Sequence, residues 1–187
     1  MKENDKMENL IETIEIPNEI NVELLKNEIV MKKGEDTLSR KFNSIIRLKK
    51  QDNKIVIEAK RNRKIEKKNF GTLKAHIKNM IKGFEKKFKY KLEIAFVHFP
   101  MNVSVDQEKN EIIIKNFLGE KKDRKLKIPE GVDIKIDKEI IEVESIDIEK
   151  AGQLAANLEK RTKVRNKDRR VFQDGIFIIE TPKKRFL

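Results

Sequence analysis

"NVELLKNEIVMKKG", Asn21 to Gly34, reads as two short strands joined by a turn. Val22 and Leu24 are separated by Glu23, Lys26-Asn27 interrupts, and "NEIVMKK" leads to a glycine. Alternation with period two is the mark of a half-buried strand. The same landmarks return in the same order in "NVSVDQEKNEIIIKNFLG", Asn102 to Gly119: Asn-Val, then Asn-Glu-Ile, then Gly. Reading outward from each block extends the match. "TLSRKF" follows Gly34 and "DRKLKI" follows Gly119. A hairpin through "QDN" into "KIVIEAK" is matched by one through "DKE" into "IIEVES".

A segment of helical spacing closes each series. Phe70, Leu73, Ile77, Met80, Ile81, Phe84 and Phe88 form one apolar stripe, with Asn69 as its expected N-cap. Ile148, Ala151, Ala155 and Leu158 recur behind an expected Asp147 cap, with Gly152 and Ala156 small enough for close approach to a sheet. Strands and then a helix, twice in one order, predict a tandem duplication. The expected fold class is α+β: two duplicated domains, each a small antiparallel-rich sheet with one helix on a face. The boundary falls in "EKKFKYKLE", giving domains 1–88 and 89–187, the first opening on an acidic segment, 1–13.

Charged residues make up 41% of the 187 residues, against roughly 25% in an average protein, and hydrophobic residues 37%. Thin cores and a crowded surface follow. The net charge is +12, although the stretch from Met1 to Glu19 holds only two lysines beside six acids, so the rest is more basic still. A surplus of this size fits a polyanionic partner, because Lys and Arg that neutralise phosphates release condensed counterions. There is no cysteine, which excludes disulfides and thiolate metal sites. No apolar run reaches the ~20 residues of a membrane span. "MKENDKMENLIETIEIP" is acidic and lacks a secretory core, so the expected location is the cytoplasm.

Catalytic parts are scarce. His76 and His98 fall on different elements without ligand spacing, no phosphate-cradling glycine motif occurs, and the serines sit in no nucleophile elbow. The carboxylates interleave with lysines, as on a solvated sheet face. The expectation is a protein that is not an enzyme and has no cofactor, no metal and no small-molecule substrate. The alternatives are an RNA-processing enzyme using His76 or His98, and a free-standing basic module.

Positive charge concentrates in "KRNRKIEKK" (Lys60 to Lys68), in Lys74, Lys78 and Lys82 along the first helix, and in "GEKKDRKLK" (Gly119 to Lys127). It returns in "RTKVRNKDRR" (Arg161 to Arg170) and in the tail "KKRFL". "RTKVRNKDRR" turns abruptly into "VFQDGIFI". That change predicts a loop pinned by an apolar anchor after an Asp174-Gly175 turn, with the tail flexible. There are ten Phe and one Tyr, and most Phe sit at core spacing, which predicts backbone-led recognition of folded RNA rather than base-by-base reading.

"HFPMNVSV" (His98 to Val105), "NFLGEK" (Asn116 to Lys121), "AGQLAANLE" (Ala151 to Glu159) and "KDRRVFQDGIFI" (Lys167 to Ile178) carry a resemblance. Together they resemble the archaeal and eukaryotic branch of the large-subunit ribosomal protein L-six family. "GTLKAHIKNMIKGFEKKFKYKLE" and "IEIPNEINVEL" are similar to the family's first helix and opening strand. Two turns depart from its pattern: "MKKG" stands where "GPxG" is usual, and Ser145 where a glycine is usual. The resemblance implies two duplicated α+β domains and a structural role on large-subunit rRNA, near the stalk base and the sarcin–ricin loop. It implies stalk-base proteins as neighbours, translational GTPases docking nearby, and no membrane. Carried onto this chain, it assigns rRNA binding to Lys167, Arg169 and Arg170 inside the matching motif. Lys163 and Arg165 just before that motif join them, as do Lys121 and Arg124 in and after "NFLGEK".

Overall fold

The computed structural model describes residues 10–61 and 63–186; most of the acidic opening segment and Leu187 of the tail lie outside them. The chain divides at Lys86/Lys87 into two compact units. In the first, β2 (Asn21–Leu25), β3 (Glu28–Lys33) and β4 (Asp36–Lys41) form an antiparallel meander. A second sheet has the order β1-β6-β5, from β1 (Leu10–Glu15), β5 (Ile46–Gln51) and β6 (Lys54–Ala59). Helix α1 (Lys64–Glu85) packs on that sheet.

The second unit repeats the plan. A meander of β8 (Asn102–Asp106), β9 (Glu111–Lys115) and β10 (Arg124–Lys127) is followed by the hairpin β11 (Val132–Asp137) and β12 (Ile140–Ser145), then α2 (Ile148–Arg161). β7 (Phe88–Ala95) pairs with β12 as β1 pairs with β6. The duplicated α+β architecture read from the sequence is therefore present. Both landmark glycines take left-handed backbone, Gly34 at φ +60° and Gly119 at φ +76°, a conformation that strains other residues.

Side-chain alternation explains each core. Ile14, Ile55, Ile57 and Ala59 face Phe70, Leu73, Ile77 and Phe84 of α1, all buried. In the second unit Leu92, Ile94, Ile141, Val143 and Ile176 meet Ala151, Leu154, Ala155 and Leu158 of α2. Gly152 allows that approach, because a Cβ there would lie 2.8 Å from the Tyr90 hydroxyl. Asp147 caps α2 by accepting the Glu149 N–H at 2.9 Å, as expected. Ser145 is buried; its hydroxyl donates to the Gly131 carbonyl at 2.7 Å and accepts from the Asp147 N–H at 3.1 Å. The residue that departs from the family pattern thus ties the start of β11 to the cap of α2.

Four expectations need correction. Helix α1 begins at Lys64, not after Asn69, because Lys, Glu and Ile sustain a helix beyond the stretch that touches the sheet. Phe88 belongs to β7 rather than to the helical stripe. Asp174-Gly175 is not a turn: Gly175 opens β13 (Gly175–Thr181), which pairs with β7 inside a five-stranded sheet. The described tail is paired rather than loose, since β14 (Lys184–Arg185) adds to β13 and the Phe186 N–H reaches the Ile179 carbonyl at 2.8 Å.

Candidate nucleic-acid interface

The basic run leaves the end of α2 and enters β13, and a buried polar side chain fixes each end. At the start, the Thr162 hydroxyl donates to the Leu158 carbonyl at 3.1 Å and accepts the Ile176 N–H at 2.9 Å. At the finish, Asp174 is 2% exposed and accepts the backbone N–H groups of Val97 and His98 at 3.0 and 3.1 Å. Its second oxygen lies 2.9 Å from His98 Nδ1, which carries the proton, since an ionised carboxylate only accepts. Burial alone would raise the Asp174 carboxyl; the His98 ring and the backbone N–H groups outweigh it and hold the group at about 2.

Between these anchors Val164 is buried, whereas Lys163, Arg165, Lys167, Arg169 and Arg170 are exposed. Asp168 shapes the turn by accepting the Arg170 N–H at 2.9 Å, and Arg170 pairs with it on the open surface. That hydrogen bond from the Arg170 side chain lowers the Asp168 carboxyl. Lys167 Nζ sits 4.3 Å above the Phe172 ring, which itself stacks on His98 with centroids 4.7 Å apart. His98 therefore serves as part of the loop's anchor. His76 is half-buried on α1 in the other unit.

The two residues expected near "NFLGEK" part company. Lys121 is exposed in the turn before β10. Arg124 is used internally: its guanidinium lies 4.2 Å over the Phe117 ring, donates to Glu120 at 2.8 Å, and also donates to the Arg161 carbonyl. The hydrogen bond from Arg124 lowers the Glu120 carboxyl. Arg161 returns the contact through the Lys125 carbonyl at 3.2 Å. Arg124 therefore joins β10 to the end of α2 and orients the basic loop rather than standing free for an anion.

These contacts frame a groove of about 740 Å³ lined by six cations and one carboxylate: Arg124, Lys160, Arg161, Lys163, Arg165 and Lys167 against Glu120. Lys121, Arg169 and Arg170 do not line it. Lys160 was missed by sequence reading, because a lysine in the last turn of a helix looks like an ordinary partner of the helix dipole. The anchor Thr162 gave no signal, and Asp174 was read only as half of a turn. By contrast, the outer face of the large sheet neutralises itself. Lys89 meets Glu142 at 2.6 Å and Glu144 at 3.3 Å, Lys91 meets Glu180 at 3.6 Å, and Lys87 meets Asp133 at 2.7 Å. In the groove, by comparison, cations outnumber carboxylates six to one. Among the described residues, no group of three or more His, Cys, Asp or Glu side chains is arranged to hold a metal ion, and no helix is long and apolar enough to cross a membrane.

Comparison with known proteins bears on this arrangement. The family model described as Ribosomal protein L6 matches residues 16–87 and 99–175, one segment for each repeat. The large ribosomal subunit protein uL6 of Methanococcus vannielii is 44% identical over 170 residues, 90% of this chain and 92% of that protein. Its counterpart in Staphylothermus marinus is 43% identical over 178 residues, 94% and 96% of the two chains. That of Sulfurisphaera tokodaii is 43% identical over 175 residues, 92% and 93%. With both repeats matched and near-full-length archaeal relatives well above 30% identity, the chain belongs to the ribosomal protein L6 family.

Proposed function

We propose that this protein is a structural, non-enzymatic constituent of the large ribosomal subunit in the cytoplasm. It binds folded large-subunit rRNA near the stalk base and the sarcin–ricin loop, and so supports the region where translational GTPases dock. Neighbouring large-subunit and stalk-base proteins are its other partners. The observation that carries the reading is the groove of six cations and one carboxylate, continued by a basic loop with a buried anchor at each end. A pre-formed cationic surface of fixed spacing meets phosphates without first ordering a chain, so less conformational entropy opposes binding. Within the surface, Lys163, Arg165, Lys167 and Arg169 contact phosphate, Arg170 and Lys121 extend the positive field, and Arg124 holds the groove's shape. Family membership and the names of the relatives support the assignment to the large subunit. Sedimentation of a cell extract provides the test. The protein should travel with large subunits and stay on them through a moderate-salt wash, and recovery in the free protein fractions would refute the reading.

A further inference from the structure

One end of the second unit leaves aromatic surface open, although no stacking platform was evident in the sequence. Phe96, just past β7, is 39% exposed, and Phe177 on β13 is 40% exposed. Both line a cleft of about 1270 Å³ that is also lined by Lys160 at the end of α2 and by Lys163, Arg165 and Arg169 of the basic loop. Phe172 lines it too, but its ring is already engaged by His98 and Lys167. Phe177 lies over Gly175, where a Cβ would come within 3.1 Å of its ring, so the strand itself holds the ring in place. Glu93, Glu139 and Glu159 share the cleft, on β7, the β11–β12 turn and α2. These carboxylates repel phosphate. A nucleic-acid strand fits only with its backbone along the loop and an uncharged planar group turned inward.

We propose that the cleft takes one unpaired nucleotide of a folded RNA, its base against Phe96 and Phe177 and its flanking phosphates on Arg165 and Arg169. The proposal rests on the rRNA-binding reading above and adds to it a site for a base extruded from the helix. Unpaired bases stack on aromatic side chains irrespective of sequence, because every base has a π-face. An acidic peptide would satisfy the arginines but would meet the three carboxylates that also line the cleft.

The test uses the full chain and two RNA hairpins, one fully paired and one with a single bulged 2-aminopurine. The bulged hairpin should bind about 5-fold or more tighter, as one stacked base allows, and its fluorescence should be quenched. The double variant Phe96→Leu/Phe177→Leu keeps apolar bulk, and circular dichroism checks its fold. It should bring the bulged hairpin to the affinity of the paired one and leave the salt dependence unchanged. Equal affinities in the wild type, or a bulge preference that survives in the variant, would overturn the base site. In that case, salt-sensitive binding of both hairpins would still uphold the rRNA-binding reading. Absence of salt-sensitive binding to either hairpin would overturn both. A poly-glutamate peptide that displaces the bulged hairpin from the wild type, and fails to bind the variant, would assign the cleft to a protein partner instead.

Discussion

Asp174→Asn removes one charge from the inner anchor of the basic loop and barely changes its size. In the wild type the carboxylate is 2% exposed, accepts three N–H groups and is held at about 2, against an ordinary value of 3.8. A displacement of nearly two pKa units corresponds to about 2 kcal/mol of native-state preference for the ionised form. The folded value is depressed, so this stability is fully present above the unfolded pKa and is lost as pH falls through the folded one. Wild type should therefore exceed the Asn variant by about 2 kcal/mol at pH 7. The gap should shrink between roughly pH 5 and pH 2. Urea unfolding across that range measures it directly, and thermal unfolding at pH 7 should drop by roughly 8–16 °C for a unit of this size. RNA binding provides the second readout. No cation is removed, so the salt slope should hold while affinity falls, because a loosened loop must be ordered on binding. A variant equally destabilised at pH 7 and pH 3, or one whose affinity is unchanged, would refute the idea that this anchor positions the loop.

Replacing Lys163, Arg165, Lys167 and Arg169 together with glutamine should weaken rRNA binding and flatten its salt slope by about 0.7–0.9 for each lost phosphate contact; titration at several salt concentrations reads both. Unchanged binding would remove the loop from the interface. Arg124→Gln should behave differently, costing roughly 1–3 kcal/mol in urea unfolding, since it abandons Glu120, the Arg161 carbonyl and the Phe117 ring together. Its salt slope should stay closer to wild type than that of the loop variant. Thr162→Val keeps the shape but leaves the buried Ile176 N–H without its acceptor, a loss of about 1–3 kcal/mol that hydrogen exchange at Ile176 should report as faster opening.

What the sequence disclosed follows from the range of the forces involved. Strand alternation and helix spacing are local, so the two repeats, both hairpins and the Asp147 cap were legible from adjacent residues. The start of α1 was not, because an apolar stripe marks where a helix touches its sheet, not where it stops. β13 was readable as extended chain, yet its place inside the sheet depends on pairing with β7, far away in sequence. Asp174 shows the same limit. Asp-Gly is a common turn signal, and only the fold brings Val97 and His98 to it. Arg124 was assigned to RNA by the resemblance, and its charge cluster offered no check, because clustered charge looks alike whether it faces solvent or a carboxylate. Its partner Glu120 stood nearby, but outside any helix that would have made the spacing meaningful. Phe96 and Phe177 were hidden for the opposite reason, since apolar type does not say which face of a strand, or which end, it occupies.

The two units share a meander, a hairpin sheet and a helix, and they differ where the proposed RNA-binding loop lies. In the second unit β13 covers the free side of β7, whereas among the described residues no strand covers the equivalent side of β1. The segment that makes this addition also supplies the basic loop, its Asp174 anchor and the buried Ile176. Burial of Ile176 against α2 and the sheet supports β13 by roughly 1.5–3 kcal/mol, and the same strand sets where the loop must end. The proposed grip on an anion is therefore tied to closure of the sheet edge. A change that frees β13 should release the loop as well, even when every Lys and Arg is kept. The acidic and basic residues of the large sheet's outer face, paired among themselves, would not respond in this way.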